Sequence, residues 1–76
     1  GLGFAVIGGV LIGEGLYGWN TIADTTDWRY WVVEASIGLV VVAVAAVRSG
    51  WPFYTLATLA MGALTAAVVY SVGRLA

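Results

Sequence analysis

The sequence predicts an all-α, membrane-type fold: an apolar helical hairpin, about residues 28–49 and 52–74, preceded by a glycine-rich apolar helix over about 2–20. Three observations predict it. Of the 76 residues, 62% are hydrophobic and 9% charged, where a water-soluble domain needs roughly a quarter of its residues charged; the mean hydropathy is +0.99. The apolar residues fall into three runs near the length of about 20 that a span requires, Leu2 to Trp19, Tyr30 to Val47 and Phe53 to Gly73. The last two runs are joined by Val47-Arg48-Ser49-Gly50-Trp51-Pro52-Phe53. There Gly50 suits the position just past a helix end, and Pro52 suits the first turn of the next helix. The chain thus reads as one unit, 1–76, with a glycine-rich helix (1–20), a polar loop (21–29) and the hairpin (30–74), whose corner is at 48–52.

The first segment, Gly1 to Trp19, carries seven glycines. Each costs about 1 kcal/mol relative to alanine in a soluble helix, but in lipid small residues let helix backbones approach. Gly1, Ala5, Gly9 and Gly13 recur at i+4, and Gly9 to Gly13 is a GxxxG. One face is therefore almost bare backbone, with Ala5, Gly9 and Gly13 as candidate packing residues. Glu14 interrupts this run about four residues before its polar end. An ionisable residue inside a membrane is a functional candidate by default. The plainer reading places it one turn below the interface, with no second carboxylate in any span to act with it.

Asn20 to Arg29 is the one polar stretch. Asp24, Thr25, Thr26 and Asp27 favour turns and caps. Asp27 is the expected N-cap of the second helix, and Glu34, one to two turns inside it, suits the helix dipole. Carboxylates beside hydroxyls read as a solvated turn rather than a catalytic group. The second segment is rich in valine and alanine, and its length selects helix over buried strand. The third carries small residues in two adjoining rows, Thr58, Gly62, Ala66 and Ala63, Ala67, Ser71. Both rows suit close helix contact, and Gly62 and Ala66 are the candidate packing residues. Arg74 complements the dipole of the last turn.

The aromatics form two belts of the kind found at headgroup level. Tyr17, Trp19, Trp28, Tyr30, Trp31 and Tyr70 lie at one level, and Trp51, Phe53 and Tyr54 at the other. If all three runs span, Gly1 and Arg48 share one side, and Asp24, Asp27, Arg29 and Arg74 the other. Counting positive charges then puts Arg48 in the cytoplasm. The chain begins at Gly1 rather than Met, which reads either as a processed end or as a truncation. A signal-cleaved end would instead leave Gly1 outside.

Several function classes are disfavoured by residue types alone. A net charge of −1 without lysine gives no field for binding nucleic acid. With neither cysteine nor histidine, thiolate metal sites, disulfides and the usual general base are missing. No catalytic residue, metal ligand or cofactor is expected, and the chain reads as non-enzymatic. A rotary-ATPase proteolipid would need a carboxylate midway along the helix after the corner, where this chain has none.

A helix entered through Arg29-Tyr30-Trp31-Val32-Val33 with Glu34 soon after, then the basic corner Arg48-Ser49-Gly50, then an apolar Gly/Ala-rich helix to the end: this layout resembles the mature pilins of conjugative type IV secretion systems, closest in character to their archaeal DNA-import relatives. It covers Arg29 to Arg74, about 60% of the chain; the apolar first segment departs from bacterial F-type pilins. The resemblance implies a subunit that waits in the membrane and is then assembled, with copies of itself, into an extracellular helical tube. Phospholipid or archaeal lipid would be held between subunits, Arg48 would face the lumen among head groups, and single-stranded DNA would pass without specific binding. The other reading is a small accessory transmembrane subunit of a larger respiratory or photosynthetic complex, integral to the cell membrane. Trp19, Trp28, Trp31, Trp51 and Tyr54 are the expected interface anchors under either.

Overall fold

A computed structural model describes residues 2–21 and 27–75. It contains three helices, α1 (Leu2–Thr21), α2 (Trp28–Arg48) and α3 (Pro52–Leu75), with no strand among the described residues. The all-α expectation holds, with helix ends within a residue of those read from the sequence. All three helices are long and apolar enough to cross a membrane; at 1.5 Å per residue they measure about 30 to 36 Å. Asp24, Thr25 and Thr26, expected to form the turn, lie outside the described residues.

The helix ends follow from local chemistry. Asp27 caps α2, its Oδ1 accepting a hydrogen bond from the Arg29 backbone N–H at 3.0 Å. The Arg29–Asp27 ion pair at 3.7 Å is largely exposed and adds little. At the corner, Gly50 adopts φ +78°, the left-handed conformation that reverses the chain after a helix. The Ala46 carbonyl, near the end of α2, accepts from the Ser49 N–H at 3.2 Å and the Ser49 hydroxyl at 2.7 Å. The Thr55 hydroxyl lies 2.7 Å from that of Ser49 and also reaches the Ala46 and Trp51 carbonyls. This knot satisfies backbone groups that lipid could not, and it ties the start of α3 to the end of α2. A Cβ at Gly50 would meet nothing within 4 Å, so Gly50→Ala isolates the backbone cost. It is expected to lower stability by about 1–2 kcal/mol, read from the unfolding midpoint in mixed micelles.

The first helix is no mere appendage to the hairpin of α2 and α3. α2 and α3 meet at the corner and where Val42 lies on Gly62, and α1 is inserted between them along the rest of its length. Gly8 faces Gly38 and Val42, Gly15 faces Ala35 and Trp31, and Gly18 faces Trp31, so α1 runs antiparallel to α2. Gly9 faces Gly62 and Thr65, Gly13 faces Ala66 and Val69, and Gly73 faces Tyr17, so α1 runs parallel to α3. The result is a slab with Cα extents of 43 × 23 × 14 Å, with the N-terminal end of α1 and the corner at one edge. A Cβ on Gly8, Gly9, Gly13 or Gly15 would fall 2.6–2.7 Å from a backbone carbonyl oxygen or a side-chain carbon of the neighbouring helix. Such closeness is what holds helices together where lipid removes the hydrophobic drive between them.

The core is correspondingly made of small groups. Ala5, Val42, Ala45, Ala46, Thr58 and Ala66 are its buried side chains besides the glycines. Thr58, Thr65 and Ser36 turn their hydroxyls back to carbonyls one turn earlier, at 2.7–2.8 Å, so no polar atom of theirs depends on water. The large residues, among them Phe4, Ile37, Leu39, Val47, Leu56 and Leu64, point outward, as expected of a protein whose solvent is lipid.

Candidate functional site

Two carboxyl groups lie beside each other on the α1–α2 seam, one half-buried and one exposed. Gly15 packs on Ala35 and on the Trp31 carbonyl, and that register sets the preceding residues, Glu14 and Glu34, at one level. Their carboxyl groups are neighbours across the α1–α2 seam. Glu14 lies seven residues from the end of α1 and Glu34 six from the start of α2, so both sit about 10 Å inside the helix ends. The expectation that no second carboxylate in a span could act with Glu14 is therefore corrected. Glu34 suits the helix dipole by its place in the sequence, but the antiparallel register carries it to Glu14.

Glu34 is half-buried with its Oε2 lacking a hydrogen-bond partner, and Glu14 is exposed toward the outside of the bundle. Ionised carboxylates only accept, so a hydrogen bond between two such neighbours would require a proton on one of them. Among the described residues neither is ion-paired, the one pair being Arg29 with Asp27, and no group of three or more metal-ligating side chains occurs. The arrangement can hold a proton between two carboxyls and offer Glu14 to a neighbouring helix.

Arg48 sits exposed in the last turn of α2. It borders an open apolar groove of about 510 Å³, lined by Phe4 of α1 and Val40, Val41, Val44 and Ala45 of α2. The only acidic residues of the chain are 14, 24, 27 and 34, and the three described ones lie toward the opposite end of the helices.

The expected packing residues fall where helices touch. Ala5, Gly9 and Gly13 are buried, the two glycines against α3, and Gly62 and Ala66 are buried on the facing surface. Sequence reasoning missed the second glycine row of α1, Gly8, Gly15 and Gly18, which receives α2. Its signal was present in the spacing of seven and three, which returns to one helical face. The two rows expected on α3 separate: Thr58, Gly62 and Ala66 are buried, while Ala63, Ala67 and Ser71 remain exposed.

Trp19, Trp28, Trp51 and Tyr54, the other expected interface anchors, are exposed. Trp31 departs from that role. Its ring lies on Gly18, its edge meets Tyr30 with centroids 4.9 Å apart, and its Nε1 is buried without a partner. It is a packing ring between α1 and α2, because Gly18 has no Cβ to keep the ring off the α1 backbone.

Neither a curated protein nor a solved structure matches this sequence. A family model does match, over residues 1–76, so the chain, with its three apolar helices and the glycine-rich one wedged between the others, belongs to the family of unknown function DUF6518.

Proposed function

We propose that the chain is a non-enzymatic structural unit of a membrane assembly, joined to further helices through the outer face of α3. The observation that carries this is the fate of the small-residue rows. Gly8, Gly9, Gly13, Gly15 and Gly18 of α1 and the Thr58–Gly62–Ala66 row are used up within the chain, whereas Ala63, Ala67 and Ser71 lie exposed at i+4 spacing. A row of that kind admits another helix at close range.

In its finer form the proposal is a conjugation- or DNA-import-type pilus subunit that assembles with copies of itself and with lipid. Arg48 at the mouth of an apolar groove supports that form: the groove accepts an acyl chain, and the guanidinium can pair with a phosphate. Electron microscopy of native material with lipid mass spectrometry tests it. Thin tubes composed of this chain with about one lipid per subunit are the expected result, with lipid content reduced in Arg48→Ala. A discrete particle dominated by larger proteins would sink the filament and leave an accessory subunit.

The contact between Glu14 and Glu34 favours a second reading, in which copies of the chain form a pathway for protons. Carboxyls facing each other within apolar helices are the usual components of such relays. In proteoliposomes with a pH-sensitive dye inside, Glu14→Gln and Glu34→Gln should each abolish proton flux, and the double variant should be no worse than either. Equal flux in wild type and variants rejects this reading and leaves the pair a structural link between α1 and α2.

A further inference from the structure

A second lipid-sized feature lies at the other end of the molecule from Arg48, and it does not depend on the filament reading. Between the ends of α1 and α3 is a polar pocket of about 510 Å³, lined by Tyr17, Asn20, Thr21, Tyr70, Gly73 and Arg74. It shares Asn20 and Tyr70 with an apolar furrow of about 370 Å³ that runs inward along α3 past Ala63 and Ala67. The furrow exists because those two residues are small. The pocket exists because the Tyr17 ring is laid against Gly73, where a Cβ would come within 2.9 Å of it.

Three features of the polar pocket belong to anion recognition. Arg74 holds its guanidinium over the Tyr70 ring, 5.9 Å from the centroid, a placement that favours a cation and leaves its N–H groups to bind elsewhere. No carboxylate of the described residues lies within ion-pair distance of it. Asn20 donates its Nδ2 to the Leu16 carbonyl at 3.0 Å, which fixes the side chain at the junction of pocket and furrow.

We propose that this paired cavity seats an anionic phospholipid, its phosphate on Arg74 and the Tyr17 and Tyr70 hydroxyls, and one acyl chain in the furrow over Ala63 and Ala67. A polar mouth at the aromatic belt joined to an apolar furrow reaching toward the bilayer centre has the polarity order of a lipid. A soluble anion would use the mouth alone. The further helix that the outer row of α3 admits would then meet α3 across this acyl chain.

The test is native mass spectrometry of the full chain released from micelles containing equal dioleoyl-phosphatidylglycerol and dioleoyl-phosphatidylcholine. Wild type should retain the anionic lipid preferentially. Arg74→Gln should reduce that retention about fivefold to tenfold, while Arg29→Gln, an arginine outside the pocket lining, leaves it intact. Ala67→Leu, at an exposed position that keeps the fold, should reduce retention with Arg74 still in place. Equal retention of the two lipids overturns the proposal, as does unchanged retention in Arg74→Gln. Displacement of the lipid by millimolar inorganic phosphate, or wild-type retention in Ala67→Leu, reduces the site to a simple anion pocket and overturns it as well.

Discussion

Replacing Gly15 by alanine is expected to destabilise the bundle by about 2–3 kcal/mol, the range for overpacking a close contact. The sign is decided by two opposed effects. Alanine is the better helix former by about 1 kcal/mol, and at Gly3, where a Cβ meets nothing within 4 Å, that preference should stand alone. At Gly15 the new methyl would fall 2.7 Å from the Ala35 Cβ, the Ala35 nitrogen and the Trp31 carbonyl oxygen. None of these is the tip of a side chain that can swing away, so α1 and α2 must separate. Separation loosens the packing along the whole seam, including the meeting of Gly8 with Gly38. Unfolding in mixed micelles should show Gly3→Ala neutral or slightly stabilised and Gly15→Ala strongly destabilised. Equal midpoints for the two variants would mean that α1 is not wedged as described.

The second large effect is expected at Trp31, where Trp31→Ala should cost about 2–4 kcal/mol, because the void it leaves deprives the surrounding side chains of their dispersion attraction. Gly18→Leu should also destabilise, since the ring occupies the space the leucine needs. The informative variant carries both changes. A leucine on α1 grows into the volume the indole vacates, so the double variant should be more stable than the sum of the singles predicts, by about 1 kcal/mol or more. Additive losses would show that the two residues do not share a site. Trp31 would then return to the role of an interface ring.

The two predictions also mark how far the residues alone could be read. Gly9, Gly13, Gly62 and Ala66 were legible as packing positions because i+4 spacing of small residues has one physical use in lipid. Gly8, Gly15 and Gly18 were hidden by the same richness in glycine: with seven in one segment, the most regular row masks the row that receives α2. Glu34 was hidden differently. Its distance from the start of α2 fits a dipole role, and nothing local to either glutamate shows that the other helix brings them to one level.

The sequence by itself determined the class of solvent, the three helices and where they end. These depend on composition and on residues within a turn of one another: Asp27 before Trp28, and Gly50 and Pro52 at the corner. Only the tertiary structure decided that α1 lies between α2 and α3, that one small-residue row of α3 is spent and the other left outward, and that Glu14 meets Glu34. In lipid every apolar face is equally well solvated, so hydropathy carries no instruction about which face meets which. That choice falls to shape, to where a missing Cβ lets one backbone reach another, and shape becomes defined only when all three helices are in place.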